Sequence, residues 1–307
     1  MTKKTFTIII PHKNIPKLLQ RCLDTIPQRD DLHIIVVDDN SDPEKVDFEH
    51  FPGYNRDDVE IIFTKEGKGA GYARNVGLNH ANSDKILFAD ADDFFNYCLN
   101  DILEKYKNEP ADIVYFNACC LDSEYYTPGN RCEYLGLYIK SFKTNPKKAG
   151  ARLRYDFAAP WCKLINKSLI DKHNIRFDES PVSNDTTFSY LIGYYSKSIK
   201  ADSHAIYCLT YRPDSLTYTD DEKRILARME VLGRRDKFLK DNVGYENHIN
   251  MHYKILVELK KSNKTELYNK CIDVLVSNGL DKKEIERKVL RRILSEKKAK
   301  IKKFLHL

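Results

Sequence analysis

The stretch from Lys85 to Phe95, K-I-L-F-A-D-A-D-D-F-F, constrains the fold of this chain more than any other. Ile86, Leu87, Phe88 and Ala89 make an apolar run of the length of a buried strand. The run ends abruptly at Asp90, Asp92 and Asp93. Three carboxylates within four residues repel one another, and burial strengthens the repulsion. A cation among them relieves it, and hard oxygen ligands suit Mg²⁺ or Mn²⁺. Mg²⁺ takes one or two protein carboxylates and completes its shell with water and substrate phosphates, so the cluster points to a metal site that holds a diphosphate. A solvated acidic turn that caps the next helix is the competing reading. An isolated D-x-D does not choose between them.

The flanking pattern does. Thr5–Ile10 reads as a strand ending at Pro11, and Ile15–Ile26 carries apolar residues at helical spacing. Leu32–Val37 is a second strand that runs straight into Asp38 and Asp39, and Val59–Phe63 is a third. A helix over about 72–80, a strand over 85–89, a helix over 98–106 and a strand over 113–116 follow. This alternation predicts an α/β fold with a mostly parallel central sheet flanked by helices. Right-handed crossovers bring the carboxyl ends of parallel strands to one edge, where such sheets bind ligands. Asp38–Asp39 and Asp90–Asp93 are therefore expected to line one crevice.

The glycines of G-K-G-A-G at 67–71 match neither a P-loop nor a dinucleotide fingerprint and read as a turn before a helix. Arg74 and Asn75, in the first turn of that helix, are better placed for an anionic ligand. A surface ion pair of small worth is the alternative for Arg74.

These blocks carry a resemblance. I-I-I-P-H-K-N, I-I-V-V-D-D-N-S-D, G-A-G-Y-A-R-N-V-G-L and I-L-F-A-D-A-D-D, in this order and spacing, resemble the family 2 glycosyltransferases of the GT-A fold. P-W-C-K-L-I around Trp161 and F-D-E-S-P-V-S-N-D-T-T-F over 177–188 extend the similarity, and Y-R-P-D-S-L-T from Tyr211 resembles the end of the catalytic domain. The family usually carries Glu-Asp where this chain has Asn184-Asp185. The resemblance implies an inverting transfer from a nucleotide-diphosphate sugar, a UDP-sugar being the expected donor, to a hydroxyl of a glycan or lipid-linked acceptor in cell-surface polysaccharide synthesis. By position, Pro11 and Asp39 would contact the nucleotide, with Asp38 and Arg74 assisting. Asp90 would face the ribose or the metal, Asp92 would ligate Mn²⁺ or Mg²⁺, and Asp185 would be the general base. Inversion is a single displacement, so the attacking oxygen must lose its proton to a nearby base. The competing reading of Asp185 is a helix cap. Trp161 reads equally as a sugar platform or a core anchor, and His12 as a loop histidine. Residues 118–158 show no clear period.

From about Asp220 the strand signal disappears. Helices are expected over 222–239, 246–259, 266–276 and 282–304, a helical extension of a catalytic domain that ends at 219. Residues 281–307 hold 11 Lys and Arg against 4 Asp and Glu, an excess of seven, whereas the whole chain of 307 residues sums to +6. Ile285, Val289, Ile293 and Ile301, with Leu290, Leu294, Phe304 and Leu305, are expected along one side of the last helix. A basic amphipathic helix suits an anionic membrane surface, and packing on its own domain is the alternative. No apolar run approaches the ~20 residues of a membrane span, the start is too short for a secretory signal, and the eight cysteines contain no C-x-x-C. A cytoplasmic enzyme, peripheral on the membrane face, is the expected setting. A catalytically inactive nucleotide-sugar-binding scaffold is the alternative function. Nucleic acid is not an expected partner, because the rest of the chain is slightly acidic and the tail lacks interleaved aromatics.

Overall fold

The computed structural model describes residues 3–211, 221–245 and 251–304, with side chains in the last segment over 252–298. The residues from Arg212 to Thr217, the side chains of Ile301 and Phe304, and Leu305 lie outside what is described. The chain divides into two compact units, Met1–Tyr218 and Thr219–Leu307.

The first unit is built on one eight-stranded sheet. Its strands are β1 (Lys4–His12), β2 (Leu32–Asp39), β3 (Val59–Thr64), β4 (Ser83–Phe88), β5 (Phe94–Phe95), β6 (Ile113–Asp122), β7 (Lys163–Asn166) and β8 (Ile199–Tyr211), in the spatial order β3-β2-β1-β4-β7-β6-β8-β5. Strands β1 to β4 are parallel, and so are β6 and β8. β7 runs antiparallel to both of its neighbours, and β5 antiparallel to β8. The reversed strand β7, with Ile165 in register with Ile86 of β4, separates the four parallel strands β1–β4 from the parallel pair β6 and β8.

The apolar runs are continuous because the strands are covered on both faces. Ile8, Ile9, Ile10, Ile34, Ile35, Val36 and Val37 are all fully buried. The helices of this unit are α1 (Pro16–Asp24), α2 (Ala70–His80), α3 (Leu99–Tyr106), α4 (Glu133–Phe142), α5 (Pro146–Tyr155), α6 (Lys167–Lys172) and α7 (Asp185–Tyr195). Helices α4 and α5 fill the stretch 118–158. In α5 the apolar positions are sparse among Lys and Arg, and in α4 apolar residues also stand on the outer side, where Leu137 is exposed, so neither shows a period.

The second unit is α8 (Glu222–Val243), α9 (Met251–Lys261), α10 (Thr265–Ser277) and α11 (Lys282–Phe304). Asp221 caps α8 by accepting from Arg224 N, and Gly244, in the left-handed region at φ 65°, ends it. Met229, Leu256, Cys271, Leu275, Ile285 and Val289 form its core. The apolar residues of α11 therefore do not share one side. Ile285 and Val289 are buried in the unit's own core, with Ile293 packed beside them, whereas Leu290 and Leu294 are exposed. At 100° per residue these two lie on the opposite side, with the exposed Arg287, Arg291, Lys297 and Lys298. Among the described residues no helix is long and apolar enough to cross a membrane.

Candidate active site

The site lies at the carboxyl ends of β2, β1 and β4, which are adjacent and parallel, so Asp38–Asp39 and Asp90–Asp93 stand at the same edge on either side of Pro11 and His12. Pro11 is buried opposite Val37 in β2.

The two aspartates that end β2 differ in what they do. Asp38 is satisfied internally. Its Oδ2 accepts from His12 Nδ1 at 2.7 Å and from Ser41 Oγ at 2.6 Å, and its Oδ1 accepts from Ser41 N at 2.9 Å. Burial pushes this carboxyl up, but the bonds from His12 and Ser41 outweigh it and leave it below its ordinary value. His12 Nε2 accepts from Ile15 N at 3.1 Å, which fixes the tautomer with its proton on Nδ1. His12 is thus a buried strand-end residue rather than a loop histidine. Asn14, in the left-handed region at φ 60°, joins the β1 and β2 loops through Ser41 and Asp42. On the adjacent Asp39, Oδ2 accepts from Gly69 N at 2.8 Å and lies 3.5 Å from Lys13 Nζ, while the buried Oδ1 has no partner. An unsatisfied buried acceptor is costly and calls for a donor.

Helix α2 ties this side to the β4 side. Gly69, at φ 95°, opens the helix and gives its N–H to Asp39. Five residues later Arg74, buried, donates to Asp90 Oδ1 at 2.6 Å and to Asn184 Oδ1 at 2.8 Å. Asn75 does not face the crevice chemistry; it clamps the backbone of Phe177 by two bonds, 2.9 and 3.0 Å. Phe177 stacks on Phe188 at 4.1 Å, and Phe88 meets both rings edge-on at 5.1 and 5.4 Å. Phe88 lies two residues before Asp90, and Phe188 three after Asp185. This aromatic cluster holds the start of α7 against the end of β4.

In the acidic run itself, Asp93 is buried and fully engaged, accepting from Tyr207 Oη at 2.8 Å and Thr210 N at 2.6 Å. Burial, then Asp90 and Asp92, push its carboxyl well up. The Asp92 carbonyl is held by Arg21 and Thr210, which fixes its backbone while the residue stays half-buried. The side chain of Asp90 is 31% exposed. Asp185 is the first residue of α7 and partly buried, and Asn184, at the N-cap position, makes no capping bond through its side chain. Burial raises its carboxyl, which Arg74 and Lys163 lower and Asp90 raises. Among the described residues no three His, Cys, Asp or Glu side chains are grouped to hold a metal ion. Asp90 and Asp92, both partly exposed, are oxygen donors that fit a hard cation bringing most of its shell as phosphate and water.

Several contributors escaped sequence reading. Tyr207 and Thr210 come from β8, more than 110 residues away, and no local pattern marks them. Asn184 was legible only as a departure from Glu-Asp. Trp161 is a core anchor, stacked on Tyr207 at 5.4 Å and 7% exposed.

Comparison with known proteins bears on the family and the fold. Residues 7–172 match the family profile "Glycosyl transferase family 2". The glycosyltransferase GlyA of Streptococcus pneumoniae is 24% identical over 277 residues, 84% of this chain, and the chain spans only 38% of GlyA's length. Among solved structures, S. aureus TarS 1-349 with UDP-GlcNAc superposes with a TM-score of 0.62 at 16% identity, covering 89% of this chain and 81% of that one. A mannosyltransferase of Pyrobaculum calidifontis, solved with GDP-Man and Mn²⁺, does so with 0.55 at 14%, covering 98% and 81%. The likeness to these two structures is one of fold.

Proposed function

The chain belongs to glycosyl transferase family 2, and from that premise we propose that it transfers a sugar, with inversion, from a UDP- or GDP-sugar to a hydroxyl of a glycan or lipid-linked acceptor. The observation that carries the donor assignment is the buried, unpartnered Oδ1 of Asp39. It can only accept. Uracil N3, like thymine N3, and guanine N1 carry a proton to give it; the corresponding nitrogens of cytosine and adenine do not, and those bases could offer only an exocyclic amine. Relatives in fold that hold UDP-GlcNAc or GDP-Man support this choice, and UDP is the expected nucleotide.

In this reading Pro11 shapes the floor of the nucleotide slot and Asp39 reads the base. Asp38 acts at one remove, by fixing His12 and the turn at Ser41. Asp90, oriented by Arg74, receives the ribose hydroxyls. Asp92 takes the cation, Mn²⁺ or Mg²⁺. When bound, such a cation neutralises charge that builds on the departing diphosphate. Asp185 accepts the proton of the acceptor hydroxyl. Burial supports that role, because it raises the carboxyl's affinity for a proton. The outward face of α11, with Leu290, Leu294 and four cations, suits contact with an anionic membrane surface, where a lipid-linked acceptor for cell-surface polysaccharide would be found.

A screen of UDP- and GDP-sugars, scored as Mn²⁺-dependent release of the nucleoside diphosphate, tests the proposal. Release from one donor, stimulated by a glycan or lipid-linked acceptor, is expected. Tight binding of UDP with no turnover on any donor would instead support the inactive scaffold, the reading that Asn184 in place of an acid favours.

A further inference from the structure

Among the described lysines and arginines of the first unit Lys163 is the most completely withdrawn from solvent, 1% exposed, and the proposed chemistry does not use it. It sits at the start of β7, opposite Tyr115 of β6. Its Nζ lies 2.8 Å from Phe157 O and 2.9 Å from Ser189 Oγ. The Ser189 hydroxyl spends its own proton on Ala158 O, so it can only accept from Lys163. The face of Phe157 lies 4.4 Å away. Two oxygen acceptors and an aromatic face surround Nζ, an environment that accommodates an ammonium. A buried ammonium needs a compensating negative charge, and none of these neighbours supplies one.

Helix α7 does. Ser189 lies one turn after Asp185, and residues four apart share a helix face. Lys163, bonded to Ser189, therefore stands one turn beneath the carboxylate at the start of the same helix. We propose that Lys163 is a positioning residue that anchors the first turn of α7 and holds Asp185 in its ionised form through space. The inference rests on Asp185 being the general base. The other groups that act on Asp185 are Arg74 from α2, which favours its charge, Asp90 after β4, which opposes it, and Tyr134 of α4. Arg74 is also bonded to Asp90 at 2.6 Å, so its charge is shared between two carboxylates, and Lys163 adds a second cation that favours the charge on Asp185. Burial pulls the ammonium down to about 7, against the pull of Asp185, so its charge is present on the acid side of that value.

The test reads the charge of Asp185 directly. Carboxyl ¹³C resonances of aspartate-labelled protein are followed against pH, and the Asp185 signal is assigned by its absence in Asp185→Asn. In Lys163→Met the midpoint is expected to rise by at least one pH unit; in Lys163→Arg, which keeps the charge, it stays within half a unit of wild type. An unchanged midpoint in folded Lys163→Met overturns the proposal. Should Lys163→Met not fold, Ser189→Ala removes one anchor of the ammonium, and the same upward direction is required of it; no rise overturns the proposal. Failure of the base assignment is separate: it shows as near wild-type transfer by Asp185→Asn, whatever the titration does.

Discussion

At the scale of single residues the site is a set of acceptors with unequal freedom. Asp38 and Asp93 have both carboxylate oxygens engaged, Asp39 keeps one buried oxygen unpartnered, and Asp90 is partly open. Substitution should therefore act differently at each. Asp39→Asn, whose amide can present a donor to the base, is expected to weaken UDP binding about tenfold or more, equivalent to one lost hydrogen bond to a buried charged group; calorimetry measures it. Asp92→Asn is expected to abolish the Mn²⁺ dependence of UDP affinity and leave the fold unchanged, because the bonds from Arg21 and Thr210 to its backbone carbonyl remain. Unchanged affinity at saturating Mn²⁺ would remove Asp92 from the metal shell. Asp185→Asn should cut turnover roughly 10²–10⁴-fold, the usual worth of a general base, with UDP affinity retained. In the wild type a base must be ionised to act, so turnover falls as pH drops through the Asp185 midpoint. Burial places that midpoint above the ordinary carboxyl value of 3.8. An acid limb at or below 3.8 would contradict the burial argument.

At the scale of elements, α2 does the joining. A methyl group on Gly71 would lie 2.0 Å from the carbonyl oxygen of Asp178 and 3.1 Å from Asn184 Cβ. The close approach of α2 to the loop before α7 therefore depends on the missing side chain. Gly71→Ala is expected to push α2 away from that loop, destabilise the protein by about 1–3 kcal/mol, and loosen Arg74 from Asn184. A fall in Tm together with weaker UDP binding, measured by thermal shift with and without nucleotide, would show both effects. Unaltered Tm would mean that the loop yields freely. The G-x-G-x-G run was legible as a turn before a helix, and Gly69 at φ 95° is that turn. That its last glycine is a packing contact could not be read, because the partner lies about 107 residues away.

At the scale of the whole molecule the alternation of strand and helix over the first 116 residues was legible, since burial on both faces makes each strand a continuous apolar run. The reversal of β7 and β5 was not; K-L-I-N and F-F are too short to carry a direction. The last helix shows the same limit. Its apolar residues are visible in sequence, but only packing separates Ile285 and Val289, turned into the core, from Leu290 and Leu294, turned out. Truncation after Asp281 would strip the second unit's core, and aggregation is its expected result. Leu290→Ser with Leu294→Ser leaves that core intact and tests the outward face. Each cation near an anionic leaflet contributes about 1 kcal/mol, so co-sedimentation with vesicles containing anionic lipid at low salt is expected for the wild type, reduced in the double variant and lost at high salt. Wild-type protein that stays in the supernatant at low salt would overturn the membrane contact.

The sequence by itself determined the strands that must be buried, the carboxylates that end them, and hence the sheet edge at which the chemistry gathers. These follow from local rules: apolar runs seek the core, and clustered charges cannot follow them there. Only the tertiary structure decided which carboxylates have both oxygens spent on holding the protein and which do not. Asp38 and Asp93 differ from Asp39 and Asp90 not in type or spacing but in what Ser41, His12, Tyr207, Thr210 and Arg74 do to them. The same holds for Lys163, which is one lysine among many until the fold withdraws it from water beneath the helix that begins at Asp185. Hydrogen-bond satisfaction and burial are properties of three-dimensional neighbourhoods, and most of those neighbours are distant in the chain.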